Sequence, residues 1–377
     1  MTAVARSTSR HHPHDTHQSM HTLITANFAT NQLERLEDEL GFEIDYRPID
    51  ERPSRLSVEE LADLVPDIEV LIVGYEAVTA SVMDAAPDLR VIACTRGGPD
   101  ANVDIAAATE RGIPVLYTPG RNAVSVADFT LGLLLGVARN IGHAHYLLRD
   151  GTFTGQPTVD AAQGGERADV TWGVARGTPY AELKGPELAG ETLGIVGFGA
   201  VGRLVAERAA GFDVDVVAYD PYVSREEMAD AGVTKATLDE LCERSTFVTL
   251  HCAVTDATRG LIGAEEFERM PEGAYLVNTA RGAIVDQDAL LDALDASELA
   301  GAALDVYAEE PLPADHPLLA RDDVVTTPHI GGASTGVIER HSRMVVDDIV
   351  TFVGGEQPAH VANEAALSTA ATDGGKA

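Results

Sequence analysis

An arginine, a glutamate and a histidine each stand shortly after an apolar run of this sequence. They are Arg281, Glu310 and His329. In doubly wound α/β proteins the carboxyl ends of the strands meet at one edge of the sheet, where ligands bind, so we expect the three side chains to converge. An arginine clamps carboxylates, a histidine gives or takes a proton, and a carboxylate orients that histidine. Such a set suits the reduction of a 2-oxo acid by hydride.

A glycine-rich segment, Gly197-Phe198-Gly199-Ala200-Val201-Gly202, follows another apolar run and opens a helical pattern. Gly197 would permit a tight turn, Gly199 would let the backbone approach a pyrophosphate, and Gly202 would let helix and strand pack closely. The free N–H groups of a helix N-terminus suit a phosphate. The segment therefore predicts a dinucleotide site.

The acid after the next predicted strand indicates which dinucleotide binds. Asp220 lies close to the distance, about twenty residues downstream, at which an acid usually binds the adenosine ribose. A carboxylate accepts hydrogen bonds from the ribose hydroxyls and would repel the 2′-phosphate of NADP, so we predict NAD. Arg225 is the nearest residue that could weaken this preference.

Alternating strand-like and helical segments predict two α/β domains. The smaller is a flavodoxin-like substrate domain built from residues 21–122 and 328–363. The larger, at residues 123–327, is a Rossmann-type cofactor domain with a doubly wound sheet of six parallel strands. A helix over Asn122 to Asn140 would pass between the domains, and two crossings of the chain would make a hinge with the active site in the cleft.

Three segments lack a periodic apolar pattern. Residues 1–20, which contain His11, His12, His14 and His17, and residues 364–377 are predicted to be disordered tails. Residues 150–182 are predicted to be an insertion, and a solvated surface loop is favoured over a lid because Trp172 is the one candidate binding anchor in it. No carboxylate or cysteine at ligand spacing completes a metal site with the histidines, so we predict no metal.

The charge of the chain limits its partners. Sixty acidic and 27 basic residues give a net charge of −33, which argues against nucleic acid and anionic membranes, since both are polyanions. Lysine occurs only at Lys184, Lys235 and Lys376. This bias predicts a protein adapted to high salt, with simple acidic solubility as the alternative.

The cysteines and the apolar runs indicate a cellular compartment. Cys94, Cys242 and Cys252 have no spacing typical of a disulfide framework or a zinc site. The longest strongly apolar run, Phe129 to Ala138, is shorter than the roughly 20 residues that span a membrane. We therefore expect a soluble, cytoplasmic protein.

Together these motifs resemble the D-isomer-specific 2-hydroxyacid dehydrogenase family, which includes glycerate, phosphoglycerate and lactate enzymes. The resemblance runs from about Ile68 to Asn363, with the glycine segment and the three strand-end residues in the family's order. Two further segments, Arg111–Val115 and Leu188–Ile195, join them.

The resemblance implies roles for the three strand-end residues. Arg281 would pair with the substrate carboxylate and polarise its keto oxygen, and His329 would protonate that oxygen as hydride arrives from NADH. In the oxidation His329 would be the base. Glu310 would hydrogen-bond His329 and favour its protonated form, while Glu309 would be surface charge.

The resemblance also implies contacts with cofactor, substrate and a second subunit. Ala280 and Asp305 would lie beside the cofactor, Asp305 at the nicotinamide carboxamide. The backbone of Arg96, Gly97 and Gly98 would hold the substrate carboxylate. The family's habit predicts a homodimer packed through the cofactor domains.

Three departures from the family pattern bear on the substrate and the cofactor. Glu76 stands where phosphoglycerate enzymes carry arginines and would repel a phosphoryl group, so phosphoglycerate is a poor substrate prediction. Arg96 occupies a position that is more often small, so the pocket could accept a second anionic or polar group. Ala253 replaces a usual proline and leaves the adenine side open.

Two other functions remain open. Formate is oxidised by a branch of this family, but that branch has glutamine where Glu310 stands, so Glu310 argues against formate. An NAD(H)-sensing, corepressor-like protein is compatible with the same residues. Turnover of small 2-oxo acids would distinguish a sensor from an enzyme.

Overall fold

The computed structural model describes residues 19–154 and 176–367. The chain divides into two compact units, Met1–Arg121 with Thr335–Ala377, and Asn122–Ser334. The predicted boundaries fell at 122/123 and 327/328. His329 was predicted to lie in the substrate domain, but the observed second unit extends to Ser334 and contains His329 together with Arg281 and Glu310. The physical reason is that the strand before His329 pairs into the second sheet, which keeps its loop there.

The strands of the described residues form two sheets. They are β1 (His21–Ile24), β2 (Glu43–Tyr46), β3 (Val70–Val73), β4 (Val91–Cys94), β5 (Val115–Tyr117), β6 (Thr192–Val196), β7 (Asp215–Tyr219), β8 (Thr234–Lys235), β9 (Phe247–Leu250), β10 (Ala274–Asn278), β11 (Leu299–Leu304) and β12 (Val324–Thr326).

Helices connect the strands. Within the described residues they are α1 (Thr30–Leu40), α2 (Val58–Leu64), α3 (Ala80–Asp84), α4 (Ile105–Glu110), α5 (Ala123–Ala138), α6 (Ile141–Asp150), α7 (Pro179–Glu182), α8 (Ala200–Ala209), α9 (Arg225–Asp230), α10 (Leu238–Arg244), α11 (Ala264–Arg269), α12 (Gln287–Asp295) and α13 (Thr335–Val353). Short 3₁₀ helices span Ile49–Glu51, Pro99–Ala101, Ala210–Phe212, Gly282–Ile284 and Pro317–Ala320.

The first unit contains a parallel sheet in the order β2-β1-β3-β4-β5. This is the flavodoxin-like order. Every residue of β3 and β4 is buried, because helices cover both faces of such a sheet and the strands become continuous apolar runs. The register sets Leu71 beside both Leu23 and Ile92, and these three form one side of the core.

The second unit contains a seven-stranded parallel sheet in the order β12-β11-β10-β9-β6-β7-β8. This order is Rossmann-type and confirms the predicted fold class. The prediction of six strands missed β8, an edge strand of two residues that is too short to show an apolar pattern. Phe247 of β9 pairs in register with Leu193 and Tyr275, and its ring stacks on Tyr275 in the core.

The helix predicted over Asn122 to Asn140 is α5. It ends two residues earlier, at Ala138, and Asn140 is left-handed with φ 54°. Buried residues such as Ala127, Leu131 and Leu134 belong to the core of the second unit. A helix that is apolar all round packs as a core element, and α5 packs in this way against β10, β11 and α8.

The described residues hold no single helix that is long and apolar enough to cross a membrane, although the bent pair α5 and α6 passes that test of length and composition together. The histidine-rich segment 11–17 and Trp172 lie outside the described residues. A disordered tail was predicted from residue 364. The structure describes the chain to residue 367, and Ala366 there is buried.

Candidate active site

The three strand-end residues lie in the second unit, at the ends of neighbouring strands. Arg281 follows β10, Glu310 follows β11 and His329 follows β12, and these strands are adjacent in the sheet. The chain order of the sheet therefore brings together residues that are far apart in sequence.

Glu310 and His329 form a hydrogen-bonded pair. His329 Nδ1 lies 2.6 Å from Glu310 Oε2, and the Tyr307 N–H donates to the other carboxylate oxygen at 3.1 Å. Burial acts to raise the pKa of the Glu310 carboxyl, but the hydrogen bonds from His329 and Tyr307 and the nearby charge of Arg281 hold it below the usual value. Glu310 is thus a carboxylate near neutral pH, and Nδ1 carries the proton.

The other ring nitrogen of His329 is left available. Within the described residues Nε2 has no hydrogen-bond partner, and the side chains of His329 and Glu310 are 45% and 36% exposed. The pair lines a cavity of about 570 Å³ whose other walls are mainly apolar: Tyr307, Pro311, Leu312, Leu319, Thr326, Thr327 and Pro328. A cavity of this size is typical of a small-molecule site.

His329 is held in an uncommon backbone conformation. Its φ is 55°, in the left-handed region. The buried carboxylate of Asp305 accepts hydrogen bonds from Thr327 Oγ1 at 2.6 Å, Ile330 N at 2.9 Å and Gly331 N at 2.7 Å. Asp305 therefore clamps both sides of the histidine turn. The predicted contact with nicotinamide does not account for these bonds.

The turn that carries Arg281 is braced from within. The buried Asn278 side chain accepts from Ala280 N and donates to Arg281 O, both at 3.0 Å. A Cβ on Gly282 would lie 1.9 Å from the Tyr307 carbonyl carbon, so only glycine lets the β10 and β11 ends approach this closely. Arg281 itself is exposed, and its charge acts on Glu310.

Asn278 and Tyr307 were not predicted as site residues. Both brace strand ends, and the Tyr307 hydroxyl donates to Leu304 O at 3.0 Å or Thr327 O at 2.9 Å. Burial is the largest influence on Tyr307 and raises its pKa to about 12, so the hydroxyl remains a donor. A polar residue at the end of an apolar run was the one sequence signal available for Asn278.

The glycine segment lies where the chain order of the second sheet reverses, at the end of β6 beside β9. Gly197 has φ 93°, and a Cβ there would lie 2.5 Å from Cys252 N after β9. A Cβ on Gly202 would lie 2.2 Å from Gly197 O, whereas nothing lies within 4 Å of one on Gly199. A side chain has no room at Gly197 or Gly202, whereas the space at Gly199 is open. This arrangement fits a pyrophosphate bound against the start of α8.

The other predicted cofactor residues differ in what they offer a ligand. Asp220 accepts hydrogen bonds from Phe198 N at 2.8 Å and Tyr222 N at 2.9 Å, so it also braces the glycine turn. The Phe198 ring is fully buried, and the Phe198 backbone N–H donates to the Asp220 carboxylate. Ala200 is exposed, and Val201 and Ala280 are half-buried.

The predicted substrate loop belongs to the first unit and follows β4. Thr118 N donates to Arg96 O at 3.0 Å, and a Cβ on Gly97 would lie 3.5 Å from the Thr118 carbonyl oxygen. The Arg96 guanidinium lies 5.2 Å from the centre of the Tyr75 ring. Arg96 therefore contacts residues that follow the two strands beside β4, namely β3 and β5, within this unit.

The prediction that Glu76 repels a phosphoryl group is wrong. Glu76 is fully buried, and its carboxylate accepts from Arg52 Nη2 at 2.7 Å and from Thr25 Oγ1 at 2.8 Å. Burial acts to raise the pKa of Glu76, but these hydrogen bonds hold it below the usual value. Its charge is neutralised inside the unit by Arg52, twenty-four residues away in sequence.

Comparison with known proteins gives a consistent result. Residues 131–331 match the family model described as D-isomer specific 2-hydroxyacid dehydrogenase, NAD binding domain. The chain is 39% identical over 319 residues to a glyoxylate reductase from Thermofilum pendens, which covers 84% of this chain and 86% of that protein. It is 37% identical over 310 residues to a D-3-phosphoglycerate dehydrogenase from Methanocaldococcus jannaschii, covering 82% of this chain. The match spans about half of that relative, 54% of its length.

Solved structures show the same architecture. A protein from Thermus thermophilus superposes with a TM-score of 0.73 at 35% identity, covering 91% of this chain and 100% of that one. A glyoxylate reductase from Paecilomyes thermophila superposes with a TM-score of 0.70 at 25% identity, covering 92% and 99%.

Proposed function

Because the chain belongs to the D-isomer-specific 2-hydroxyacid dehydrogenase family, we propose that it interconverts a 2-oxo acid and a D-2-hydroxy acid with NAD as the cofactor. The observation that carries this proposal is the Glu310–His329 pair, joined at 2.6 Å beside the charge of Arg281. A proton donor, its orienting carboxylate and an anion clamp are the groups that reduction of a 2-oxo acid needs.

His329 is the proposed general acid. NADH, when bound, supplies the hydride to the carbonyl carbon. The proton comes from His329 Nε2, while Nδ1 keeps its proton against Glu310, which stays ionised. In the reverse direction neutral His329 takes the hydroxyl proton at Nε2. Arg281 pairs with the substrate carboxylate and draws electron density toward the keto oxygen.

Asp220 is the proposed ribose contact and the basis for preferring NAD. It directly follows β7, and one of its carboxylate oxygens accepts a hydrogen bond from Phe198 N in the glycine segment. A fixed negative charge there disfavours the 2′-phosphate of NADP. Gly199 and the start of α8 are the proposed pyrophosphate contacts. Arg96, Gly97 and Gly98 remain the proposed carboxylate loop, and Asp305 and Ala280 the proposed nicotinamide neighbours.

We also propose a homodimer in a cytoplasm of high salt. The family's habit supports a dimer through the second unit, and α6 of that unit exposes Ile141, Tyr146 and Leu148. Exposed apolar side chains on one helix mark a surface that a second copy can cover. The net charge of −33 supports adaptation to salt. Light scattering in molar KCl tests the dimer, and a monomer would contradict it.

The test of the reaction is NADH oxidation in molar KCl with glyoxylate, hydroxypyruvate, pyruvate and longer 2-oxo acids. The proposal expects turnover with NADH well above that with NADPH. A folded protein that binds NADH but turns over none of these acids would contradict it and favour an NAD(H) sensor.

A further inference from the structure

Arg96 and Tyr75 form a pair at the carboxyl edge of the first sheet. Tyr75 follows β3 and Arg96 follows β4, and the guanidinium lies 5.2 Å from the ring centre. In the strand order β2-β1-β3-β4-β5, the direction in which successive strands are added reverses between β1 and β3. Ligands of open α/β sheets bind beside such a reversal. The pair thus lies next to the position where this fold takes a ligand.

The described residues do not neutralise the charge of Arg96. In the chain from 19 to 154 and from 176 to 367, no ion pair involves Arg96, although the sequence has 60 acidic residues. The acid nearest to Tyr75 in sequence, Glu76, is 0% exposed and bonded to Arg52. A second cation, Arg121, lies close enough that both charges act on the buried Cys94 thiol.

Tyr75 holds this charge in a defined place. A guanidinium stacked on an aromatic ring loses little freedom when it binds, and its planar fork matches a carboxylate. The Tyr75 side of the stack is open, since Tyr75 is 47% exposed. Arg96 is therefore a cation that is already positioned to bind an anion.

We propose that Arg96, stacked on Tyr75, binds a second carboxylate at the far end of the substrate, so that the protein prefers 2-oxo diacids to 2-oxo monoacids. This inference rests on the proposed function, because it takes Gly97 and Gly98 of the same loop to hold the reacting carboxylate. The long Arg96 side chain then reaches the rest of a small acid.

The test compares two dicarboxylic acids with monoacids of the same chain length, and one phosphorylated acid with its parent acid. kcat/KM is measured for oxaloacetate against 2-oxobutyrate, 2-oxoglutarate against 2-oxopentanoate, and 3-phosphohydroxypyruvate against hydroxypyruvate. The wild type is expected to prefer oxaloacetate and 2-oxoglutarate to their monoacid partners by about tenfold or more. Arg96→Gln should lower that preference by about 10- to 100-fold, the range for a lost hydrogen bond to a charged group.

Three variants control the test. Arg90→Gln removes the same charge from the other end of β4, where Arg90 lies near Glu69, and should leave the preference unchanged. Tyr75→Phe should keep it, because phenylalanine also stacks on a cation. Tyr75→Leu should lower it a few-fold.

Each other outcome overturns the inference. These are a wild type that prefers the monoacids, an Arg96→Gln variant that lowers both members of a pair equally, and a preference confined to the phosphorylated acid. Calorimetric titration of the same acids into the NADH-bound protein measures their preference without turnover. An absence of all turnover would contradict the proposed function, and the binding preference would still decide this inference.

Discussion

Each unit contains a glutamate paired with a basic side chain, and the two pairs differ in exposure and in the hydrogen-bonding atoms that remain free. Glu76 and Arg52 in the first unit are 0% and 14% exposed, and Glu76 also accepts from Thr25 and from the Gly74 and Tyr75 N–H groups. Glu310 and His329 in the second unit are 36% and 45% exposed, and His329 Nε2 is free within the described residues. A buried pair whose carboxylate is fully engaged stabilises the fold, whereas an exposed pair with a free ring nitrogen can do chemistry.

The largest expected effect comes from the open pair. Glu310→Gln replaces the charged carboxylate that accepts the His329 Nδ1 proton with a neutral amide, which accepts a weaker hydrogen bond and can turn its NH2 group toward the ring. kcat/KM for the reduction should fall by about 10²- to 10⁴-fold, the contribution typical of acid–base machinery. Steady-state kinetics measure this loss.

The neighbouring acid is the matched control. Glu309 is exposed, and Glu309→Gln should change kcat/KM by no more than about twofold, as for other surface substitutions. Equal losses in the two variants would mean that net charge, and not the bond to His329, sets the rate.

The buried pair should affect stability instead. Glu76→Gln leaves Arg52 buried without its counter-charge, and breaking one partner of a buried pair costs about 3–5 kcal/mol of unfolding free energy. Chemical denaturation measures it, with the exposed Glu34→Gln in α1 as the control. A loss below about 1 kcal/mol would show that Arg52 is solvated and that the two pairs differ less than their burial suggests.

A second histidine extends the comparison to the pH dependence of stability. His341 is buried, with Nε2 2.8 Å from Asn27 O and Nδ1 3.2 Å from Arg121 Nη1. Burial, with a smaller contribution from the charge of Arg121, lowers its pKa to about 4 from 6.5. The unfolded chain therefore binds the proton at higher pH than the folded chain.

Stability should accordingly fall as the pH drops from about 6.5 to about 4, by at most about 3 kcal/mol, and be fully present above 6.5. His341→Gln keeps a donor and an acceptor without titrating, and it should flatten this part of the stability–pH curve. Thermal unfolding across pH measures it. An unchanged curve in the variant would assign the acid sensitivity to other groups.

The smallest effect is expected from the clamp on the histidine turn. Asp305→Asn keeps the shape but replaces one acceptor oxygen with a donor, so the bonds from Ile330, Gly331 and Thr327 cannot all persist. We expect kcat to fall about tenfold as the histidine turn loosens, since misplacing a catalytic group lowers its rate. If Asp305 acts only on bound nicotinamide, the KM for NADH would rise with kcat unchanged.

Much of the fold, and the placement of Arg281, Glu310 and His329 after adjacent strands, could be predicted because apolar runs mark buried parallel strands and their ends. The predictions that failed depended on hydrogen-bond and strand partners that lie far away in sequence. The charge of Glu76 can be read from the sequence, but its ion pair with Arg52 cannot. The supporting role of Asp305 depends on three donors that lie more than twenty residues away. The unit that holds His329 depends on the pairing of β12 with β11, which spacing does not reveal.

The most direct test of the central claim is the configuration of the product formed from a prochiral 2-oxo acid with NADH. We predict turnover to the D-2-hydroxy acid by the wild type, and loss of that turnover in His329→Asn while NADH binding persists. An L product, or undiminished turnover without His329, would contradict the proposed function.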